Sequence, residues 1–173
     1  MGKRNYLIEG VSGAGKTTVG KELQLRGYQV IHGDDELTYR GDRETGQAVI
    51  IPKSPTPLWM SEHQIWNLDK VKDLIANKEV PVTFLCGGSR NYTKFIDLLD
   101  GVFILEVDHD TMNRRIAERV VVDPTDFGGT AEERDLIEKL FQTKEDIPRV
   151  GIKISSVQPL ARVVDDILMR IQM

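Results

Sequence analysis

A three-layer α/β sandwich around a parallel β-sheet is the fold class that this 173-residue sequence predicts. Three observations predict it. Short β-type runs alternate with longer segments of helical period, the order that produces βαβ units and hence a parallel sheet. The first strand-like run enters a glycine-rich turn and then an amphipathic helical segment, the local order of an anion-binding strand-to-helix junction. The composition, 40% hydrophobic and 29% charged, lies near that of soluble globular proteins. Such a length builds one domain that buries about two-thirds of its unfolded surface without disulfides or metal staples.

Taken in order, NYLIE reads as the first strand and Lys16 to Leu25 as the first helix, followed by the strand YQVIH. The stretch Leu37 to Pro57 has little periodicity and carries Gly41, Gly46, Pro52, Pro55 and Pro57, so it reads as a long extended connection. A helix is predicted from Ser61, as N-cap, to Ala76, then the strand VPVTFLC and a helix from Tyr92 to Leu99. The strand VFILEV precedes helices over Thr111 to Val120 and Ala131 to Glu145. The strand GIKIS and a helix from Leu160 to Ile171 close the chain. Between the two middle helices, Pro124 and the Gly128-Gly129 pair break the helical pattern and predict a flap.

The same pass excludes several classes. A net charge of −4 with no Lys/Arg block argues against nucleic acid as an obligatory partner. No apolar run approaches the roughly 18 residues of a membrane span, and MGKRNYLIEG lacks the apolar core of a signal peptide, so a cytoplasmic protein is expected. The single cysteine, Cys86, forms no internal disulfide and lies in an apolar run, where a buried inert thiol is expected. His32, His63 and His109 have no metal-ligand spacing.

The chemistry is concentrated at Gly10-Val-Ser12-Gly13-Ala14-Gly15-Lys16-Thr17-Thr18, which fits the Gly-x4-Gly-Lys-Ser/Thr pattern between a strand and a helix. Glycines let the backbone wrap phosphates, inward N–H groups and the positive end of the helix dipole attract them, Lys16 neutralises the β- and γ-phosphates, and Thr17 ligates magnesium. ATP with Mg2+ is the expected ligand.

From here the sequence resembles the small P-loop kinases: adenylate kinase, shikimate kinase and gluconate kinase. The resemblance covers nearly the whole chain, although only the phosphate loop is highly specific. It implies a P-loop NTPase sandwich of five parallel strands in the order 2-3-1-4-5, with an acceptor-side insertion around residues 35–78 and a lid around 115–134. In those families the second strand ends in an Asp-containing turn near the acceptor; here it reads VIHGDDE and supplies Asp34 and Asp35. Carboxyl ends of parallel strands form the ligand edge of such a sheet. Asp34 is assigned to magnesium and the acceptor hydroxyl, Asp35 to acceptor binding. The third strand ends Cys86-Gly87-Gly88-Ser89-Arg90, similar to the adenylate kinase segment Leu-Asp-Gly-Phe-Pro-Arg and to the glycine turn of shikimate kinase. Arg90 and the glycines are thus acceptor-side candidates, while the acid that adenylate kinase has at the Cys86 position is missing.

Arg115 and Arg119 look like the Arg-x3-Arg signature that opens the lid, and their spacing puts them on one helix face. Permanently charged guanidiniums suit the dispersed charge of a phosphoryl group in transfer. Arg114 faces elsewhere, and Arg134 is a candidate second lid arginine. The segment containing Gln158 and Pro159 resembles the loop that borders adenine. Trp66 reads as a packing anchor and Trp59 as a wall of the acceptor pocket. The reading is an ATP-dependent phosphotransferase acting on a small-molecule hydroxyl, monomeric or homodimeric. A nucleoside or nucleoside monophosphate acceptor, and an ATP-binding module without an acceptor, stand as alternatives.

Overall fold

The computed structural model describes residues 3–172. Its strands are β1 (Arg4–Gly10), β2 (Gln29–His32), β3 (Thr38–Arg40), β4 (Gln64–Trp66), β5 (Val82–Cys86), β6 (Gly101–Glu106) and β7 (Ile152–Ser155). Its helices are α1 (Lys16–Leu25), α2 (Gly33–Glu36), α3 (Pro57–Glu62), α4 (Leu68–Ala76), α5 (His109–Val122), α6 (Ala131–Thr143) and α7 (Leu160–Ile171). Five strands form one parallel sheet in the order β2-β5-β1-β6-β7, which is the expected 2-3-1-4-5 order when only these strands are counted.

Central β1 is buried on both faces, and its side chains alternate between two cores. Tyr6 and Ile8 join the cluster built with Val19 and Leu23 of α1, Met112 and Ile116 of α5, and Val163, Val164, Ile167 and Ile171 of α7. Leu7 points to the other face, with Ile31, Leu37, Trp66, Val71, Leu85 and Phe95. Glu9, two residues beyond Leu7, continues that second face to the carboxyl edge of the sheet. Caps fix the helix starts: Asp108 accepts from the Thr111 amide at α5, and Thr130 with Glu133 forms a capping box at α6.

Two expected helices take other forms. The helix from Ser61 to Ala76 is broken into α3 and α4 by β4, which pairs antiparallel with β3 in a small separate sheet. The break has one local and one tertiary cause. Asn67 caps α4 by accepting from the Lys70 amide, and Trp66 is fully buried, stacked on Phe95 with ring centroids 5.4 Å apart. Ser61 is therefore not an N-cap; it lies inside α3, whose cap is Thr56. The helix from Tyr92 to Leu99 is instead two 3-10 turns, Tyr92–Lys94 and Ile96–Leu98, which let Phe95 reach beneath Trp66. The long connection carries a bridge between Gly41 and Ala48 and a turn in which Asp42 accepts from the Glu44 and Thr45 amides.

Candidate active site

The phosphate loop runs from the end of β1 into α1. Gly13 and Gly15 adopt φ of 81° and 98°, the left-handed region that a side chain disfavours. These reversals aim the loop backbone inward and leave α1 to start at Lys16. Lys16 Nζ donates to the carbonyls of Gly10 and Val11, the latter at 3.3 Å, and lies 3.9 Å from Glu9 Oε1. Thr17 and Thr18 follow on the exposed first turn of α1.

A cleft of about 1150 Å³ opens over this loop. On one side, Arg115 donates to the carbonyls of Gly13 (3.2 Å), Ala14 (3.3 Å) and Ser156 (2.6 Å), joining the phosphate loop to the loop after β7. Arg119, one turn on, donates to Ser12 Oγ at 3.3 Å and to the Phe127 carbonyl at 2.5 Å, and lies 3.5 Å from Asp126. It thus links the phosphate loop to the connection between α5 and α6. Arg114 is exposed, 4.0 Å from Glu118. Arg134 donates to the Gly128 and Gly129 carbonyls and fastens that connection from behind, without lining the cleft. Gln158 lines the cleft, its amide held by the Ser155 carbonyl and Asp166, while Pro159 is the N-cap of α7 and not part of the lining.

On the opposite side, Asp34 lies in the single turn of α2 and opens to the cleft. Gln64 donates to it at 3.4 Å and to the Gly88 carbonyl at 3.1 Å. Protein packed around the carboxyl raises its pKa, against the pull of the Lys16 ammonium and the Gly88 amide. Arg90 donates to Ser61 Oγ at 2.9 Å, and Arg40 of β3 completes the wall. Gly87 underlies Asp34: a Cβ there would be 2.9 Å from Asp34 Oδ1.

Three residues read from the sequence as acceptor-side, Asp35, Trp59 and Gly87, are not among those lining the cleft. Asp35 is exposed and lies outside the cleft lining, because α2 turns adjacent side chains about 100° apart and only Asp34 faces inward. Trp59 stacks on His63, with centroids 4.1 Å apart, and also lies outside the lining. Cys86 is buried and its thiol is pushed up to about 12 by desolvation, so it offers no acid or nucleophile.

Two carboxyls of the cleft that are raised by burial and lie near Lys16 escaped sequence reasoning. Glu9 is 2% exposed, and burial pushes its pKa up to about 8 despite the nearby Lys16 ammonium and the Gly10 amide. Its signal was available: a charged residue within NYLIEG, on a strand whose two faces are both covered. Asp146, on the connection from α6 to β7, is also raised by burial, with Arg90 and Lys16 acting against it. No sequence signal marked Asp146, since it sits in a polar loop remote from every motif.

A hard divalent cation takes oxygen ligands. The Thr17 hydroxyl and the Asp34 carboxyl suit it chemically, but among the described residues no cluster of three acidic, His or Cys side chains forms a metal cage. Magnesium would therefore be held here in company with phosphate oxygens.

Comparison with solved structures places this architecture. A shikimate kinase from Acinetobacter baumannii in complex with shikimate aligns at TM-score 0.60 and 20% identity over 98% of this chain and 93% of that one. A gluconokinase from Sinorhizobium meliloti 1021 aligns at TM-score 0.57 and 21% identity, covering 96% and 90%. The fold is that of the small P-loop kinases. A shikimate kinase from Bacteroides thetaiotaomicron covers both chains completely at TM-score 0.57 and 15% identity. No family model matches the sequence, and no curated protein matches it. At such identities the P-loop kinase fold is what is shared.

Proposed function

We propose that the protein is an ATP-dependent kinase that moves the γ-phosphoryl group to a hydroxyl of a small acceptor, and that the acceptor is a hydroxylated carboxylic acid. The carrying observation is the makeup of the cleft opposite the nucleotide loop. Carboxyls of Glu9, Asp34 and Asp146 lie within electrostatic reach of the Lys16 ammonium, and guanidiniums of Arg40 and Arg90 line the same cleft. Such a lining suits hydroxyls, which bond to carboxylates, and one anionic group, which suits a guanidinium fork. It offers a flat base no aromatic platform on that side. Trp66 is buried beneath, Trp59 lies outside, and the aromatic in the lining, Phe127, belongs to the connection over the nucleotide side.

In this reading Gly13, Gly15 and the start of α1 cradle the phosphates, with Lys16 on the β- and γ-phosphates. Thr17 and Asp34 hold magnesium, whose part is to neutralise phosphate charge. Asp34 also orients the acceptor hydroxyl, Arg90 binds the acceptor's anionic group, and Arg119 meets the charge that develops on the transferring group. Residues around 115–134 act as the lid and those around 35–78 as the acceptor-side insertion. Catalysis rests on positioning and charge, with no protein nucleophile.

The test is ADP release with Mg2+ against a panel containing D-gluconate, shikimate, other sugar acids, neutral sugars, nucleosides and nucleoside monophosphates. Turnover stimulated by hydroxy acids is expected. Stimulation only by nucleosides or nucleotides would replace the acceptor class, and ATP binding with no acceptor and no turnover would favour a binding module.

A further inference from the structure

Sequence reasoning divided two acidic tasks between Asp34 and Asp35. Asp35 faces away from the cleft, so the acceptor-facing task lacks its carboxylate. The register of the sheet supplies another. Ile8 on β1 pairs with Cys86 on β5, so Glu9 lies one residue further on, beside the Gly87-Gly88 turn. A Cβ on Gly88 would stand 3.1 Å from Glu9 Oε2, tighter than ordinary contact, so the bare glycine gives the carboxyl its room. Oε1 accepts from the Gly10 amide at 2.9 Å and lies 3.9 Å from Lys16. Oε2 is buried and has no hydrogen-bond partner among the described residues. Keeping a carboxyl 2% exposed with one oxygen unpartnered carries a desolvation cost that packing alone does not require.

Resting on the kinase reading, we propose that Glu9 is a catalytic residue that receives the reacting acceptor hydroxyl on Oε2. Its place is decisive: it adjoins the Lys16 ammonium, which engages the β- and γ-phosphates, and it shares the cleft with Asp34, on opposite flanks of Gly87-Gly88. In the transfer the acceptor oxygen bonds to the γ-phosphorus as the bond from that phosphorus to the bridging oxygen breaks. ADP leaves with that electron pair, and the hydroxyl proton passes to Glu9 Oε2 and then to solvent as product departs. In its ionised form, which gains population as pH rises towards and past about 8, Glu9 is thus the proton acceptor and Asp34 the orienting partner on the metal side, so turnover that depends on Glu9 rises over that pH range.

Glu9→Gln and Glu9→Asp can be compared with the wild type without an identified acceptor, because water serves as the probe in slow ATP hydrolysis. Binding of a non-hydrolysable ATP analogue with Mg2+ is measured by calorimetry beside the hydrolysis rate. Glu9→Gln is expected to bind the analogue like the wild type and to hydrolyse ATP about a hundredfold more slowly. Glu9→Asp should recover part of the rate and provides the same comparison if the Gln variant does not fold. Wild-type hydrolysis in the variants, or a loss of analogue affinity equal to the loss of rate, would overturn the assignment and make Glu9 a support of the phosphate loop. A wild type that binds no ATP analogue, or binds it and transfers to neither water nor any panel acceptor, would overturn the kinase reading and this proposal with it.

Discussion

At the scale of single residues, charge placement governs what can be tested. Lys16 makes its contacts with loop carbonyls and the edge of Glu9, so Lys16→Ala should leave the fold intact while phosphoryl transfer falls by about a thousandfold or more. Near-normal turnover in a folded variant would refute the phosphate-loop assignment. Glu9 gives a second expectation, in stability. Its folded pKa of about 8 lies above the ordinary 4.5, so between those values the folded state holds a proton that the unfolded state releases. Stability should therefore be full at and below about pH 4.5 as far as this group is concerned, fall as pH rises, and level off above about pH 8, a change on the order of 5 kcal/mol. Asp34 and Asp146, also raised, act in the same direction. Denaturant titrations across that range should show the decline, and Glu9→Gln should remove most of it. An equally steep decline in the variant would assign it to other groups.

At the scale of elements, α5 presents two faces with different duties. Arg119 reaches Ser12 and the Phe127 carbonyl, whereas Arg114 stays on the exposed side with Glu118. Arg119→Ala is expected to lower kcat more than it raises the KM for ATP, because its contact strengthens as transition-state charge develops. Arg114→Ala should change neither by more than about twofold. Equal kinetic effects would mean that the face assignment is wrong. The start of α4 gives a prediction of another kind. The Asn67 side chain accepts from the Lys70 amide at 3.1 Å, so Asn67→Ala should cost about 1 kcal/mol in chemical unfolding. An unchanged midpoint would show that β4 and the buried Trp66, rather than the cap, fix where α4 begins.

At the scale of the whole molecule, the cleft draws its walls from the phosphate loop, α2, β3, α3, the turn after β5, α5 and the connections around α6. α3 packs against α6, so the two sides of the cleft meet across the opening. A ligand held by so many elements should stabilise all of them together. ATP with Mg2+ at about 100 times its Kd should add about 2.7 kcal/mol, a rise of several degrees in Tm for a chain of this size. Scanning calorimetry with ATP alone and with ATP and Mg2+ checks this, and an unchanged Tm at saturating concentrations would argue against a nucleotide site. Among the described residues no helix is long and apolar enough to cross a membrane.

The sequence by itself determined the alternation of strands and helices, the phosphate loop with its lysine and threonine, and the pair of arginines on one face of α5. Those features are carried by local patterns: periodicity, glycine positions and spacings of four. The strand order was legible only through resemblance, and the split of the Ser61 to Ala76 helix was not legible at all. There the helical period of the apolar residues competes with the burial of Trp66 against Phe95, and tertiary packing prevails. Tertiary structure alone decided which acids face the cleft. Asp34 and Asp35 are neighbours in sequence but are separated by the turn of α2. Glu9, Asp34 and Asp146 are far apart in sequence yet meet at the carboxyl edge, because the central place of β1, the crossover through α1 and the return of the chain from α6 bring their ends to one point.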